Sequence, residues 1–193
     1  TLVDCTSVGL GRDPMALARI SRATGLNIVM GCGYYVAQSH PSDMDNKSVS
    51  DISNEIIRDL TIGVDQTRIK AGIIGEIGCS WPLHPNEAKV LRAAAHAWQT
   101  TGAPMSIHPG RHDASPNEIM EILIAEGADP RHVIMGHIER TIMNRETLKE
   151  LALTGCFLEY DLFGRDISYY FQAPHIDMPT DAQRLEQITW LIA

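Results

Sequence analysis

Short apolar runs and longer amphipathic segments alternate along the whole chain. The short runs predict buried β-strands, and segments with apolar residues three and four positions apart predict helices. The predicted strands span residues 2–6, 27–31, 70–77, 105–108, 132–137 and 156–161. The predicted helices span residues 14–25, 48–63, 85–102, 115–127, 144–155 and 181–193, with irregular segments at 34–47 and 163–180.

Strands that alternate with helices are typical of a parallel sheet, and strands that are apolar throughout indicate a sheet covered on both faces. Two α/β architectures share this pattern, the doubly wound open sheet and the (β/α)8 TIM barrel. No GxGxxG motif follows the first strand, which weighs against a dinucleotide-binding sheet. A barrel has eight strands, so the six predicted here would form part of one.

The composition narrows the class of protein further. Of 193 residues, 44% are hydrophobic and 21% are charged, which is typical of one globular domain over residues 1–193. The net charge of −8 argues against nucleic acid or an anionic membrane surface as a partner. No apolar run approaches the roughly 20 residues of a membrane span. We therefore expect neither nucleic acid nor a membrane as a partner; the small-molecule substrate that we expect follows from the resemblance described below.

The cysteines indicate a reducing compartment. The four are far apart, in mostly apolar runs, and form no CxxC motif; they are Cys5, Cys32, Cys79 and Cys156. This placement is typical of buried thiols rather than of a disulfide framework. We therefore expect a cytoplasmic protein.

Polar side chains that can bind metal ions occur at the C-terminal ends of three consecutive predicted strands. Glu76, His108 and His137 lie one βα repeat apart, which in a parallel barrel places them at one rim on neighbouring strands. A single histidine in a strand is more often a core residue, but packing does not explain the recurrence at three strand ends. One carboxylate and two imidazoles suit Zn²⁺ or a similar divalent ion. The sequence therefore predicts a metal site.

Four segments carry a resemblance to a known family. They are GIIGEIGCSWPL at 72–83, IHPGR at 107–111, MGHIERTI at 135–142 and LEYDLFG at 158–164. With these segments the chain resembles the phosphotriesterase-related proteins of the amidohydrolase superfamily, from Val3 to the last helix. The resemblance implies a (β/α)8 barrel of the metal-dependent hydrolase type that holds two divalent metal ions, of the Zn²⁺ kind.

The resemblance also implies a role for each predicted ligand. In that family the first strand supplies a His-x-His pair, the fourth a bridging ligand, the fifth and sixth one histidine each, and the eighth an aspartate. Glu76 corresponds to the bridging ligand, and His108 and His137 correspond to the two histidines. Strands one and eight have no counterpart, so the barrel is incomplete and no catalytic residue is assigned. Because the chain also starts at Thr1 within an apolar stretch, we expect it to be a piece of a longer protein.

One departure from the broader family concerns the bridging ligand. The members that hydrolyse organophosphates bridge their metals with a carboxylated lysine, whereas this chain has Glu76. Both groups are monoanions with two oxygens, so either can span two divalent ions. Lys70 cannot replace Glu76, because it lies six residues earlier, near the opposite mouth of the barrel. Glu76 therefore places the chain with the phosphotriesterase-related proteins rather than with the members that hydrolyse organophosphates.

The resemblance implies a hydrolase in which a two-metal-activated hydroxide attacks an ester, lactone, amide or phosphoester. Arg111, Arg140 and Tyr160 follow strand ends and are candidates to bind a polar or anionic group of the substrate. Each also has a structural interpretation, namely an ion pair for the arginines and barrel packing for the tyrosine.

The competing hypothesis is a barrel of the same family that binds a small ligand without turnover. Under either hypothesis we expect no nucleic-acid partner, and the chain could form a homo-oligomer.

Overall fold

The computed structural model describes residues 1–165, 170, 173, 174 and 176–193. Its strands are β1 (Leu2–Asp4), β2 (Ile28–Cys32), β3 (Ile73–Gly78), β4 (Met105–His108), β5 (Val133–Met135) and β6 (Phe157–Leu158). Its α-helices are α1 (Pro14–Thr24), α2 (Val49–Thr61), α3 (Pro85–Thr101), α4 (Ser115–Ala125), α5 (Ile138–Thr141), α6 (Arg145–Leu153) and α7 (Asp181–Ile192). Short 3₁₀ helices lie at Ala37–Ser39, Met44–Asn46 and Pro130–His132.

The six strands form one sheet in which every neighbouring pair is parallel. Their order in the sheet is their order in the chain, so the connections always progress in one direction. A doubly wound nucleotide-binding sheet instead reverses direction at a switch point. The topology therefore excludes that alternative and is the strand order of a barrel. The predicted partial (β/α)8 barrel is confirmed.

Local chemistry explains where the helices begin. Asp13 accepts a hydrogen bond from Ala16 N at the start of α1, and Pro14 occupies the first helical position. Ser48 and Asp51 form a reciprocal capping box at the start of α2. Helix α3 begins with the same arrangement, in which the imidazole of His84 replaces the usual hydroxyl.

The core lies on both faces of the sheet. Ile74, Ile77, Met105 and Ile107 of the central strands are fully buried. Helices α2 and α3 pack against each other and cover the same cluster, to which α3 contributes several buried alanines. Removing these side chains from water supplies the main stabilisation of the sheet. It also fixes the positions of the strand ends.

The predicted elements are confirmed with small shifts at their ends. The last strand was predicted over residues 156–161 but ends at Leu158, and α5 was not predicted. All four cysteines are free thiols, and Cys5 is the one that is only partly buried. Of the irregular segment 163–180, residues 166–169, 171, 172 and 175 lie outside the described part. Among the described helices, none has the length and apolar character needed to cross a membrane.

Candidate metal centre

Three adjacent strands deliver the three predicted ligands to one edge of the sheet. Glu76 lies near the end of β3, His108 is the last residue of β4, and His137 follows β5 after a single glycine. Because these strands are parallel neighbours, their carboxyl ends lie side by side. The structure therefore brings together the residues that the sequence placed one βα repeat apart.

The donor atoms of these residues converge. His137 Nε2 lies 2.8 Å from His108 Nδ1 and 3.1 Å from Glu76 Oε1, and His108 Nδ1 lies 3.3 Å from Glu76 Oε2. One ligand atom from each residue lies within 4.8 Å of the others. His108 is only 7% exposed, and Glu76 and His137 are partly buried. We call Glu76, His108 and His137 the ligand triad.

The chemistry of the triad fits a divalent ion. One carboxylate and two imidazoles are ligands that Zn²⁺ and similar ions take in catalytic sites. Burial raises the pKa of Glu76, but hydrogen bonds from His108 and His137 outweigh burial and lower it to about 2. Glu76 is therefore a carboxylate at neutral pH, the protonation state that a metal ligand requires.

Further side chains contact the two imidazoles. Asp161 Oδ2 lies 2.7 Å from His137 Nδ1, and the Tyr35 hydroxyl lies 3.1 Å from each ring nitrogen of His108. A carboxylate on the outer nitrogen of a histidine fixes the tautomer and the ring orientation of a metal ligand. Burial lowers the pKa of His137, but Asp161 and Glu76 outweigh burial and raise it to about 9.

The backbone beside His137 leaves little room for a side chain. A Cβ at Gly136 would lie 3.0 Å from Ile107 O and 3.2 Å from the Glu159 carboxylate. His137 itself adopts a left-handed conformation, with φ of 56°, that turns the chain from β5 into α5. Its carbonyl then accepts a hydrogen bond from the Thr141 hydroxyl. This turn aims the imidazole at the other two ligands.

Arg140 contacts the triad, and Arg111 follows the same strand as His108. Arg140 is 3% exposed, and its Nη2 lies 3.2 Å from His108 Nε2 and donates to Pro109 O at 3.5 Å. Burial, together with the charge of Arg111, lowers the pKa of Arg140. Arg111 Nε donates to the Tyr170 hydroxyl at 2.8 Å, and the guanidinium lies 5.4 Å from the centre of that ring.

The Tyr160 side chain lies against α7 and the hydrophobic core. Its hydroxyl donates to Gln187 of α7 at 3.3 Å, and its ring packs against the core. Because side chains alternate along extended backbone, Tyr160 faces away from the side on which Glu159 and Asp161 approach the ligands. Of the three candidate substrate contacts, Arg140 contacts the triad through His108, whereas the contacts described above for Arg111 and Tyr160 are with Tyr170 and Gln187. Contact with substrate stays a prediction for all three.

Asp161 and Tyr35 were not assigned a role from the sequence. Asp161 stands in the segment that carries the family resemblance, at the end of a predicted strand, and that position was the available signal. Tyr35 follows β2 in a segment without periodicity, so no pattern marked it. Both become recognisable only when the fold places them against the imidazoles.

Comparisons with known proteins agree with this geometry. The model of the phosphotriesterase family matches residues 1–192. The chain is 46% identical over 192 residues to a phosphotriesterase-related protein of Nematostella vectensis. It is 48% identical over 192 residues to the N-acetyltaurine hydrolase of Dictyostelium discoideum, and 44% identical over 191 residues to that of Homo sapiens. These matches cover 99–100% of the chain and 52–55% of the relatives, so the chain spans about half their length.

Solved structures also match the fold, over 98% of this chain. A resiniferatoxin-binding protein from Rhodobacter sphaeroides is 38% identical with a TM-score of 0.91, and the match covers 98% of this chain and 52% of that one. A phosphotriesterase homology protein from Escherichia coli, complexed with phosphate in its active site, is 27% identical with a TM-score of 0.82. That match covers 98% of this chain and 62% of the other. The chain belongs to the phosphotriesterase family, and its six strands are part of a (β/α)8 barrel.

Proposed function

We propose that this chain supplies part of the active site of a metal-dependent hydrolase. The observation that carries the proposal is the convergence of Glu76, His108 and His137 at the ends of three adjacent strands. Membership of the phosphotriesterase family supports the same function, as do relatives that are named as hydrolases. The three residues would hold two divalent ions of the Zn²⁺ kind together with ligands from elsewhere in the whole protein.

The residues of this chain prepare the site in three ways. Glu76 stays ionised, because the two imidazoles hold its pKa low. Asp161 contacts the outer nitrogen of His137, and the Tyr35 hydroxyl contacts the ring of His108, so both imidazoles have a further polar partner. Burial of His108 and partial burial of Glu76 and His137 limit the access of bulk water to the ligand atoms. When bound, divalent ions lower the pKa of water and polarise a carbonyl or phosphoryl group.

We further propose that the bond cleaved is the amide of a small acylated amine. The support is the 44–48% identity to proteins named N-acetyltaurine hydrolase, which is higher than the 28% identity to the organophosphorus hydrolase of Deinococcus radiodurans. A cleft of about 560 Å³, lined in part by residues that directly follow β3 and β4, is large enough for such a molecule. Trp81 and Arg111 are among the residues that line it.

A second candidate is a barrel that binds a small ligand without turnover. One observation favours it, since the structure with a TM-score of 0.91 is named a resiniferatoxin-binding protein. The two candidates differ in whether a bond is broken. Release of acetate from N-acetyltaurine by the whole protein distinguishes them.

Two substitutions in the whole protein test the role of the triad. His108→Ala and His137→Ala each remove an imidazole ligand, so both should lower the metal content and abolish hydrolysis. The metal content of the purified variants is measured by mass spectrometry, and hydrolysis by the release of acetate.

His96→Ala is the matched control, because this imidazole lies on α3 and contacts Glu126 instead of the triad. This variant should keep both the metal content and the hydrolytic activity of the unchanged protein. Full metal occupancy in the two triad variants would show that these histidines are not ligands.

A further inference from the structure

Two side-chain hydrogen bonds join the start of α5 to the segment that follows β6. Asp161 Oδ2 lies 2.7 Å from His137 Nδ1. One residue further along the segment, Leu162 N donates to Glu139 Oε1, also at 2.7 Å. Glu139 lies two residues after His137, in the first turn of α5. The second bond therefore fixes the backbone next to the point at which the Asp161 side chain leaves it.

The Glu139 carboxylate lies fully inside the protein. Its side chain is 0% exposed, and the Nε atom of the equally buried Arg184 of α7 lies 3.8 Å from the oxygen that accepts from Leu162. A buried carboxylate is costly unless hydrogen bonds and a counter-charge offset the lost hydration, and apolar residues fill such positions without that cost. Packing alone therefore does not explain Glu139, whereas its polar contact with the segment that carries Asp161 does.

Helix α7 holds the same segment slightly later in the chain. Asp181, the first residue of α7, accepts from Gly164 N at 3.0 Å, three residues after Asp161. The bond from Glu139 is closer to Asp161 in the chain, since Leu162 is the adjacent residue. Glu139 is thus well placed to set the direction of the Asp161 side chain.

The direction of Asp161 matters because it decides how His137 can bind a metal ion. A carboxylate accepts hydrogen bonds, so Nδ1 of His137 holds a proton and Nε2 is the nitrogen that an ion can take. Nε2 is also the atom that faces Glu76 and His108. A displaced Asp161 carboxylate would release the imidazole from this orientation, and the affinity for the ion would fall.

We infer that Glu139 is a positioning residue of the metal centre, which fixes Asp161 against His137 by holding the backbone at Leu162. This inference rests on the proposed function and deepens it, because it assigns a role in metal binding to a buried residue that is not itself a ligand. Glu139 acts through the segment after β6, since its oxygen accepts from Leu162 N.

Two substitutions in the whole protein separate the position of the Glu139 oxygen from its charge. Glu139→Asp keeps the charge that faces Arg184 but withdraws the oxygens from Leu162 N by about one carbon–carbon bond. Glu139→Gln keeps an acceptor at the original reach but removes the charge, so it should be the less stable of the two in urea. Metal affinity should show the opposite order. Glu139→Asp should lower the affinity for Zn²⁺ about 10-fold, measured by competition with a chromophoric chelator, and Glu139→Gln should lower it less.

A double substitution shows whether Glu139 acts through Asp161. In the Asp161→Asn background, Glu139→Asp should cause no further loss of affinity, because the contact that Glu139 positions is already removed. Asp59→Asn is the matched control, since this carboxylate is also buried and pairs with Arg12 at 2.9 Å. The control should lower the stability in urea and leave the affinity for Zn²⁺ unchanged.

Proton NMR of the metal-free whole protein gives a readout that needs neither metal nor turnover. A ring N–H that donates to a carboxylate at 2.7 Å makes a strong hydrogen bond, and its proton resonates far downfield. Asp161→Asn identifies the signal of the His137 Nδ1 proton, because the signal shifts when the carboxylate is lost. This signal should move upfield in Glu139→Asp and stay in place in Glu139→Gln and Asp59→Asn.

The outcomes separate the positioning role from the proposed function. An upfield shift in Glu139→Asp, in a protein that hydrolyses no amide, would contradict the hydrolase and keep the positioning role. Losses of affinity that follow the order of stability, or that add to the loss in Asp161→Asn, would overturn the positioning role, because Glu139 would then act through folding alone. An unchanged signal in folded Glu139→Asp would overturn it as well. If Glu139→Asp does not fold, a loss in Glu139→Gln as large as that in Asp161→Asn would have the same consequence.

Discussion

Single contacts decide how the ligand triad is held. Two ring nitrogens lie only 2.8 Å apart, at His108 Nδ1 and His137 Nε2, so the orientation of each ring must be fixed from its other nitrogen. For His137 that role falls to Asp161, at 2.7 Å. A charged acceptor at this distance makes a short and strong hydrogen bond. The affinity for metal should therefore depend on a residue that is not itself a ligand.

The substitution Asp161→Asn tests this dependence. Asparagine keeps the size of the side chain but removes the negative charge, and its amide can present a donor to His137 Nδ1. We expect the metal affinity to fall about 10- to 100-fold, as for other partners of metal-bound histidines. Competition with a chromophoric chelator measures the affinity of the whole protein. Asp13→Asn is the matched control, since asparagine caps a helix as well as aspartate does.

Unchanged metal affinity in Asp161→Asn would show that the contact with His137 only packs the loop after β6. The near-ultraviolet circular dichroism of both variants reports whether tertiary packing is preserved. A loss of affinity with preserved packing is the expected combination.

At the scale of elements, a single side chain of α3 holds two loops of the rim. Glu87, fully buried in the first turn of α3, accepts from Ala37 N on one loop and from Ser80 N, Ser80 Oγ and His84 N on another. The first loop begins near Tyr35, which contacts His108, and the second carries Trp81. One carboxylate therefore joins two loops that border the candidate site.

The substitution Glu87→Gln should destabilise the protein. Glutamine replaces one acceptor oxygen with a donor, so at least one buried N–H or O–H group loses its partner, at a cost of about 1–3 kcal/mol. Urea denaturation of the whole protein measures the change in the free energy of unfolding. Glu121→Gln, on the exposed face of α4, is the control and should change stability by less than about 0.5 kcal/mol. A Glu87→Gln variant as stable as this control would contradict the role of Glu87.

The strands and helices could be predicted because burial imposes a period on the sequence. The apolar runs around Ile74 and Ile107 marked central strands, and their parallel order placed Glu76 and His108 together. The contacts of Asp161 with His137, of Tyr35 with His108 and of Glu87 with Ala37 could not be predicted in the same way. They join residues distant in sequence across irregular loops, where neither period nor capping pattern applies. Helix α5 was missed because four residues are too few for a helical period.

At the scale of the whole molecule, the sheet has two open edges. Within the described residues, β1 pairs only with β2, and β6 pairs only with β5. Apolar side chains lie exposed at both edges, with Val3 at 53% and Phe157 at 63% exposure. In a closed barrel the outermost strands meet further strands, and unpaired edges with apolar side chains favour association between molecules.

The 193-residue chain on its own should therefore self-associate and show negligible hydrolysis. Sizing chromatography with light scattering measures the mass in solution, and a screen of amides, esters and lactones measures turnover. The substitutions Val3→Lys and Phe157→Lys should reduce association, because lysine opposes edge pairing by charge and hydration. Lys149→Arg, on the exposed surface of α6, is the control and should leave the mass unchanged. Recovery of the unmodified chain as a stable, active monomer would contradict the prediction, because it would show that the open edges and the triad alone suffice for folding and catalysis.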